Sequence, residues 1–490
     1  MTQVFLGVDV GTSAVKALLV DEEQRVVAQA EQTLSISRPR PLWSEQDPEE
    51  WWNAVVRAVR AVREGAPVNF SAVRAVGLSG QMHGAVLLDR GGQVLRPAIL
   101  WNDGRSLPQC EELGRLVPDL GKIAGVPAMP GFTAPKLLWL RQHEPQVFPR
   151  VATVLLPKDY VRYRLTGELA TDVSDAAGTL WLDEASRSWS AHILQATGLS
   201  AAQMPRLLEG SQPSGVVTRT VAATLGLASD VVVAAGAGDA AAGAVGIGAV
   251  SDGDAFASLG TSAQYFVCTA EYRPFPQAFV HAFCHAIPQR WYQMAAMLNG
   301  ASCLAWAAKL VGADNIDALL ARVEAGFRGA GSLLFLPYLT GERTPHNDPY
   351  ARGVFFGLQA ETSTEVLIQS VLEGVALSLA EAQDCLGAAG TQVARVAAIG
   401  GGSRSRLWMR ILASALDRPV LLYREGAQGP AFGAARLARL AVSSEAVSEL
   451  CTAPQVIETI EPESALVEAY RAAGEKYRRL YRVLRPEFRR

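Results

Sequence analysis

The chain has 490 residues, which is long enough for two or more domains of ordinary size. Its 49% hydrophobic and 19% charged residues are typical of a globular protein with a large core, and its formal net charge of -3 argues against a nucleic-acid-binding protein, which normally carries a basic face. Six scattered cysteines without a CxxC pair indicate a reduced, cytoplasmic protein, and the N-terminus lacks the regions of a signal peptide.

The N-terminal part combines strand and helix patterns. The apolar runs VFLGVDV and AVKALLVD predict two strands joined by a Gly-Thr-Ser turn, and further strands are predicted at 25–33 and 72–80. Asp47 and Pro48 predict the start of a helix, because Asp is a preferred N-cap and Pro suits the first helical position. Residues 84–100 predict a hairpin closed by Asp89, Arg90, Gly91 and Gly92.

The same pattern restarts near residue 245, where DAFASLGTSAQYFVC repeats an apolar run, the tetrapeptide GTSA and a second apolar run. A later unit at 395–423 predicts a strand, a triple-glycine loop, Ser403 as a cap, an amphipathic helix and a strand. We interpret the chain as a duplicated α/β core with lobes at 1–245 and 246–490, and the last helix is expected to pack back on the first lobe.

The apolar segment 231–250 is long enough to span a membrane. We predict that it does not, because it contains five glycines, and because Asp239 near its middle would place a carboxylate in the bilayer.

The two Gly-Thr-Ser turns predict phosphate binding. Glycine lets the backbone approach a ligand closely, and converging backbone N–H groups form a nest for an anion. One turn from each lobe could hold a polyphosphate from both sides, with Asp9 holding Mg²⁺ and Lys16 adding positive charge. The residues of the two turns are Gly11, Thr12, Ser13, Gly260, Thr261 and Ser262.

Longer blocks resemble a known family. GFTAPKLLWLRQH at 131–143 resembles the first signature of the FGGY carbohydrate kinases, and 353–373 resembles the second, with Val366 at a usually polar position. LSGQMHGAVLLD, ILWNDGR, LPYLTGERTPHNDPYARGVFFGL and GGGSRSRLW resemble blocks of the family members that phosphorylate D-xylulose. The resemblance implies a two-lobe actin/hexokinase/Hsp70-like (ribonuclease H-like) duplicated α/β fold with an interlobe cleft, and transfer of phosphate from ATP with Mg²⁺ to the 5-hydroxyl of D-xylulose.

Asp239 is the candidate catalytic base, since it follows a buried strand, begins a helix and is the only charge in a long apolar stretch. The same position also suits a helix N-cap. Ala240 stands where xylulose kinases usually carry Asn, which leaves the exact sugar open. The resemblance implies that His83 hydrogen-bonds the sugar and Met82 packs on its carbons. The candidate substrate-binding residues are Gln81, Met82, His83, Trp101, Asn102, Asp103 and Arg105.

For the nucleotide, the resemblance assigns the triple-glycine loop and its neighbour to ATP, with QGPAF beside the adenine. These residues are Gly400, Gly401, Gly402, Ser403, Gln428 and Phe432. No Walker A sequence occurs, which argues against a P-loop kinase. Gly236, Gly238 and Ala241 also fit a dinucleotide fingerprint, but Asp239 would place negative charge beside the pyrophosphate. His281 and His285 have metal-ligand spacing for a helix, without a third ligand.

Two alternatives to a xylulose kinase stay open at this point. One is an FGGY kinase for another sugar or polyol, such as ribulose or gluconate, and the other is a non-catalytic sugar sensor. The expected partners are a small sugar and ATP, without nucleic acid or membrane, and the resemblance allows a homodimer.

Overall fold

The structure is a computed structural model that describes residues 3–424 and 429–489, so that Gln428 lies outside the described residues. Two lobes are each built on a seven-stranded sheet. The strands of the first sheet end at Gly238 and those of the second begin at Ala255. Within the described ranges, no helix combines the length and the apolar character that crossing a bilayer requires.

The first sheet has the order β5-β6-β4-β1-β2-β3, with β7 also pairing with β4. Its strands are β1 (Val4–Val10), β2 (Ala14–Asp21), β3 (Val26–Thr33), β4 (Val73–Gly80), β5 (Pro213–Val216), β6 (Val232–Ala234) and β7 (Ala237–Gly238). β1 and β2 form an antiparallel hairpin, while β4 runs parallel to β1 and β6 runs parallel to β4.

The second sheet repeats this arrangement with the order β10-β11-β9-β8-β12-β13-β14. Its strands are β8 (Ala255–Leu259), β9 (Ala263–Thr269), β10 (His281–Cys284), β11 (Trp291–Ala296), β12 (Val396–Ile399), β13 (Val420–Tyr423) and β14 (Val456–Ile460). Again the first two strands, β8 and β9, form a hairpin, while β12 runs parallel to β8 and β13 runs parallel to β12. Both GTSA sequences occupy the turn of the first hairpin, so the predicted duplicated α/β fold is confirmed.

Helices cover both sheets. Those of seven or more residues are α1 (Pro48–Gly65), α2 (Leu107–Leu116), α3 (Thr133–His143), α4 (Pro157–Thr166), α5 (Arg219–Leu225), α6 (Asp239–Gly246), α7 (Ala301–Leu310), α8 (Ile316–Gly326), α9 (Thr364–Ala388), α10 (Arg406–Leu416), α11 (Pro430–Leu440) and α12 (Ser464–Leu484). Short strand pairs join the helices of the first lobe, at Glu45–Gln46, Val86–Leu88, Ala98–Ile99, Thr153–Leu155, Ala170–Asp172, Leu182–Asp183, Ser188–Trp189 and Arg206–Leu208, and Leu334–Leu336 pairs with Val354–Phe356 in the second.

Three local predictions have different outcomes. α1 begins as expected, with the Asp47 side chain accepting from the Glu49 N–H. The prediction that Ser403 caps α10 is wrong, because Ser405 accepts from the Trp408 N–H and caps this helix. The turn at 89–92 forms, but Val86–Leu88 forms its ladder with Thr153–Leu155, and the predicted hairpin keeps two isolated bridges, Leu88 with Val94 and Ala85 with Ile99.

Helix α11 joins the lobes, because it lies between β13 and β14 of the second sheet in the chain but packs on β1 and β4 of the first. Glycines permit this approach: a Cβ added at Gly7 would lie 1.9 Å from the Ala431 carbonyl oxygen, and one at Gly77 would lie 1.8 Å from that of Ala434. The last helix, α12, instead packs on α9 and α10 of its own lobe, where the Tyr470 hydroxyl donates to Glu373 at 3.0 Å. The helix that reaches the first lobe is therefore α11.

Gly77→Ala is expected to lower the free energy of unfolding by about 1–3 kcal/mol, since the methyl group has to displace the backbone of α11. Chemical denaturation of the two proteins measures the difference. Gly114→Ala in α2 is the matched control, because open space surrounds its added methyl group and a helical alanine stabilises by up to about 1 kcal/mol. Equal stability changes for the two variants would contradict the close packing of α11.

Candidate active site

The ends of three parallel strands bring the first group of candidate residues together. Val10 of β1 and Gly238 of β7 are both in register with Gly80 of β4. Beyond this row the chain continues into the first Gly-Thr-Ser turn, into Gln81, and into Asp239 at the start of α6. The carboxyl ends of parallel strands are where α/β sheets bind ligands, so this edge is the floor of the candidate site.

Asp239 is the first residue of α6, and Gly238 rather than Asp239 occupies the N-cap position. Its carboxylate accepts from the Ala240 N–H at 2.7 Å and is open to the cleft. Asp239 is exposed to the cleft, but the surrounding protein reduces its hydration, and this desolvation, together with the nearby charge of Asp9, raises the pKa of Asp239 to about 7. A carboxylate with this pKa can accept a proton near neutral pH, as a general base must.

Asp9 lies on β1 between Lys16 of β2 and Ser79 of β4. Burial raises the pKa of Asp9 to about 6, while Ser79 and Lys16 act in the opposite direction. The Asp9 Oδ1 atom is buried and has no hydrogen-bond partner among the described residues. Mg²⁺ prefers oxygen ligands, and this unpartnered carboxylate oxygen fits that preference.

The first Gly-Thr-Ser turn is hydrogen-bonded to residues predicted to bind sugar. The Thr12 hydroxyl donates to the Gln81 side-chain oxygen at 2.9 Å and accepts from the Trp101 indole N–H at 2.9 Å. The Gln81 amide donates to the Gln46 side-chain oxygen at 3.0 Å, and Gln81 is buried. Gln81 therefore supports the turn from below, whereas Ser13 at its tip is exposed.

A cavity of about 270 Å³ lies beside His83. Residues from both lobes line it: His83, Trp101, Asn102, Asp103, Gly104, Met129, Pro130, Gly131, Phe132, Arg343 and Asn347. We call it the sugar pocket. It joins the predicted substrate residues of the first lobe to two residues of the second.

His83 is held in one orientation and one charge state. Its Nδ1 lies 2.8 Å from the Gly178 carbonyl oxygen, and its own carbonyl oxygen accepts from Lys136 Nζ at 2.7 Å and the Thr133 hydroxyl at 3.0 Å. Burial lowers the pKa of His83 to about 3, so the ring is neutral. Since Nδ1 carries the proton for Gly178, Nε2 is a hydrogen-bond acceptor. Met82 is buried and packs on Gly238, next to Asp239.

Asp103 and Arg105 form a buried ion pair at 2.7 Å, and Arg105 also pairs with Glu45 at 2.8 Å. The guanidinium lies 3.5 Å over the Trp43 ring. Because of these contacts, the charged groups of Asp103 and Arg105 are already paired within the protein. Trp101 and Asn102, at the exposed tip of the same loop, remain open to a ligand.

The second Gly-Thr-Ser turn and the triple-glycine loop follow paired strand ends, because Ser258 of β8 is in register with Ile399 of β12. A Cβ at Gly400, where φ is 87°, would lie 2.9 Å from the Leu259 carbonyl oxygen, so the loop needs glycine there. Ser403 lies in the turn that follows, with its hydroxyl donating to the Gly400 carbonyl oxygen.

The triple-glycine loop borders two cavities. The first, of about 470 Å³, is lined by Asp239, Ala240, Gly243, Ile247, Phe256, Ser258, Gln264, Ile399, Gly400, Gly429 and Pro430. The second, of about 540 Å³, is lined by Ala301, Leu304, Ala305, Ile316, Asp317, Leu320, Ala321, Glu324, Gly401, Gly402, Arg404, Ser405, Arg406 and Trp408. The loop therefore runs between the cavity of Asp239 and a larger cavity that the sequence analysis missed.

Three other candidate residues, one predicted for the nucleotide and two considered for a metal, lie in different parts of the structure. Phe432 is buried in a cluster with Phe5 and Ala75, and it lines neither of these cavities. His281 lies on strand β10 rather than a helix, and the nitrogens of His281 and His285 lie near different backbone carbonyls, those of Met294 and Ala249. These contacts give no support to a two-histidine metal site.

Comparison with known proteins identifies the family. Residues 4–246 match the N-terminal domain of the FGGY family of carbohydrate kinases, and residues 255–442 match its C-terminal domain. The chain is 50% identical over 484 residues to a xylulose kinase of Escherichia coli, covering 98% of this chain and 99% of the relative. It is 36% identical to a xylulose kinase of Bacillus subtilis, covering 97% of this chain and 96% of the relative.

A solved structure from Brucella ovis, described as a xyloylose kinase, superposes with a TM-score of 0.96 at 49% identity, covering 99% of this chain and 100% of the other. Both halves of the duplicated fold are thus shared with this kinase along nearly the full length of the chain. The chain belongs to the FGGY family of carbohydrate kinases and is a carbohydrate kinase itself.

Proposed function

We propose that this protein transfers the γ-phosphoryl group of Mg·ATP to the 5-hydroxyl group of D-xylulose, giving D-xylulose 5-phosphate and ADP. The observation that carries the proposal is the position of Asp239. It lines the cavity beside Gly400, while the residue before it packs on Met82, the neighbour of His83 in the sugar pocket. Full-length similarity to xylulose kinases supports D-xylulose as the sugar.

The proposed nucleotide position follows the triple-glycine loop. The nucleoside occupies the cavity of about 540 Å³ between α7, α8 and α10, and the phosphates pass Gly400–Gly402 towards Asp239. The exposed turn at 260–262 offers backbone N–H groups to them. Asp9 holds the Mg²⁺ ion, directly or through water, and the ion supplies charge neutralisation for the transferring group.

In the sugar pocket, we assign direct contacts to the residues that are open to it. Nε2 of His83 accepts a hydrogen bond from a sugar hydroxyl group, and the exposed Trp101 and Asn102 contact the chain of the sugar. Met82 is buried next to the pocket and packs on Gly238, so it supports the site from behind. Gln81, Asp103 and Arg105 act as positioning residues, because their polar groups are bonded to protein. Ala240 lines the neighbouring cavity with a methyl group only.

In the proposed reaction, the chain itself supplies the proton acceptor. Asp239 accepts the proton of the sugar 5-hydroxyl group as its oxygen forms a bond to the γ-phosphorus, and the bond from that phosphorus to the β-phosphate bridging oxygen breaks. ADP leaves, and the protonated Asp239 returns its proton to solvent. Since Asp239 is open to the cleft, exclusion of water during transfer requires the lobes to close on the two substrates.

A coupled assay of ADP release with D-xylulose, D-ribulose, D-gluconate and xylitol tests the substrate. We expect D-xylulose to give the highest kcat/KM, by a factor of about 10 or more, as the contacts of a hydroxyl-binding site discriminate strongly. A higher kcat/KM for D-ribulose or D-gluconate would show that the protein is a kinase whose substrate is that sugar instead of D-xylulose. Absence of sugar-dependent ADP release with all four would favour a non-catalytic sensor. A homodimer stays a prediction.

A further inference from the structure

Arg343 brings a positive charge from the second lobe into the sugar pocket. It lines this pocket together with Asn347, whereas the other lining residues, including His83, belong to the first lobe. The backbone around it is fixed: Thr344 donates to the Phe279 carbonyl oxygen at 3.1 Å and its hydroxyl accepts from the Ala296 N–H at 3.2 Å. The guanidinium is therefore presented to the pocket by a segment anchored on the second sheet.

The side chain of Arg343 makes no hydrogen bond and no ion pair within residues 3–424 and 429–489. The other buried arginines that line the first lobe are paired, as Arg105 is with Asp103 and Arg162 is with Asp159. Arg343 is partly buried, and burial lowers its pKa, with the charge of Glu342 as the opposing influence. Its nitrogens are therefore free to donate to an acceptor that a ligand in the pocket supplies.

The adjacent Glu342 does not fill this role. Its Oε1 atom accepts from the Leu298 N–H at 2.7 Å and from the Arg343 N–H at 2.8 Å. His83 and His281 lie near Arg343, and burial lowers the pKa of each to about 3, so both rings are neutral. The Asp103 carboxylate also lines the pocket, but it is paired with Arg105, which leaves the Arg343 guanidinium available to a ligand oxygen.

The chemistry of the pocket selects one end of the sugar. Arg343 offers only donors, and Nε2 of His83 offers an acceptor. The carbonyl end of an open-chain 2-ketose matches both, because its C2 oxygen only accepts and its C1 hydroxyl group donates. We infer that Arg343 donates to the C2 carbonyl oxygen of the ketose whose 5-hydroxyl group lies at Asp239, and that this contact makes the enzyme prefer ketoses to alditols. The inference rests on the proposed function.

The same segment is linked to the nucleotide side of the second lobe. Leu298, whose N–H donates to Glu342, accepts from the Ser262 hydroxyl at 3.3 Å. Glu342 thus holds both Arg343 and the chain next to the second Gly-Thr-Ser turn. A sugar that contacts Asp239 at one end and Arg343 at the other touches both lobes, so the carbonyl contact also favours the closed cleft.

Calorimetric binding of D-xylulose and of xylitol, its reduction product at C2, tests the inference. For Arg343→Gln, we expect the dissociation constant of D-xylulose to rise by about 10- to 100-fold, the usual effect of losing a charged hydrogen bond, and that of xylitol to change by less than about 3-fold. Arg343→Lys keeps the charge and is expected to give an intermediate rise. If Arg343→Gln does not fold, the lysine variant carries the test.

Arg352→Gln is the matched control in the same segment, because within the part of the chain that the structure describes the Arg352 guanidinium donates to the Pro349 and Ala351 carbonyl oxygens alone. The binding constants of this variant are expected to stay unchanged. Equal losses for D-xylulose and xylitol, or no loss for either, would overturn the role of Arg343. Wild-type protein that releases no ADP with D-xylulose would reject the proposed function and the inference together. Wild-type activity with an unaffected Arg343→Gln variant would reject the inference alone.

Discussion

Asp239→Asn is expected to lower kcat by about 10²- to 10⁴-fold while the dissociation constant of D-xylulose changes by less than about 3-fold. The variant keeps the size of the side chain and an oxygen that can accept from the Ala240 N–H. It loses the group that accepts the proton of the sugar hydroxyl. Steady-state ADP release and calorimetric sugar binding separate these two effects.

Asp230→Asn is a suitable control, since Asp230 is an exposed carboxylate of the same lobe whose ion partner, Arg74, lies 3.9 Å away at the surface. Its kcat is expected to equal that of the wild type. Asp239→Asn turnover above about a tenth of the wild-type value would be too high for a variant without its general base, which normally contributes at least about 10²-fold.

The pH dependence of the wild type follows from the same group. With the pKa of Asp239 raised to about 7, kcat/KM is expected to fall about tenfold per pH unit below that value, as the base becomes protonated. Folding stability changes in the opposite direction. The raised pKa contributes stability that is full below the unfolded-state pKa of about 4 and is lost as the pH rises through about 7. Asp239→Asn is therefore expected to melt at a higher temperature than the wild type at pH 8.

The fold could be predicted, and Asp239 could be selected as the candidate base, because local patterns carry both signals. A hairpin with apolar runs on both sides of a GTSA turn specifies two strands and their connection, and its repetition indicates a duplicated lobe. Asp239 stands out as a single charge within an apolar stretch that is too rich in glycine for an ordinary helix. The hairpin pattern and the isolated charge each lie within a short segment, whose local structure depends mainly on residues that are neighbours in the sequence.

Other parts of the site depend on contacts between distant segments. Asp103 and Arg105 are polar residues in a suitable block, but the sequence does not reveal that Glu45 and Trp43 enclose them. Arg343 lies in a block that resembles the family, but the sequence does not show where its side chain lies. Only the structure shows that Arg343 lines the sugar pocket and that its guanidinium has no partner among the described residues. The cavity proposed for the nucleoside forms between α7, α8 and α10, and the sequence of each helix alone does not reveal it.

Asp9→Asn is expected to raise the Mg²⁺ concentration for half-maximal activity by about 10- to 100-fold, the usual effect of losing a residue that holds a metal directly or through its water. It is also expected to move the acid limb of the pH profile to lower pH. The charge of Asp9 contributes to the raised pKa of Asp239, so that a neutral side chain at this position lets Asp239 ionise more readily.

Titration of Mg²⁺ at saturating ATP and a pH profile of kcat/KM measure the two effects in one variant. Asp21→Asn serves as the control, because Asp21 lies at the far end of the same hairpin, in register with Val4, and pairs with Arg25 at 2.8 Å. A shifted pH limb with an unchanged Mg²⁺ requirement would show that Asp9 acts on Asp239 through its charge but does not hold the ion. An unchanged pH limb would contradict the proximity of the two carboxylates, on which the raised pKa of the base depends.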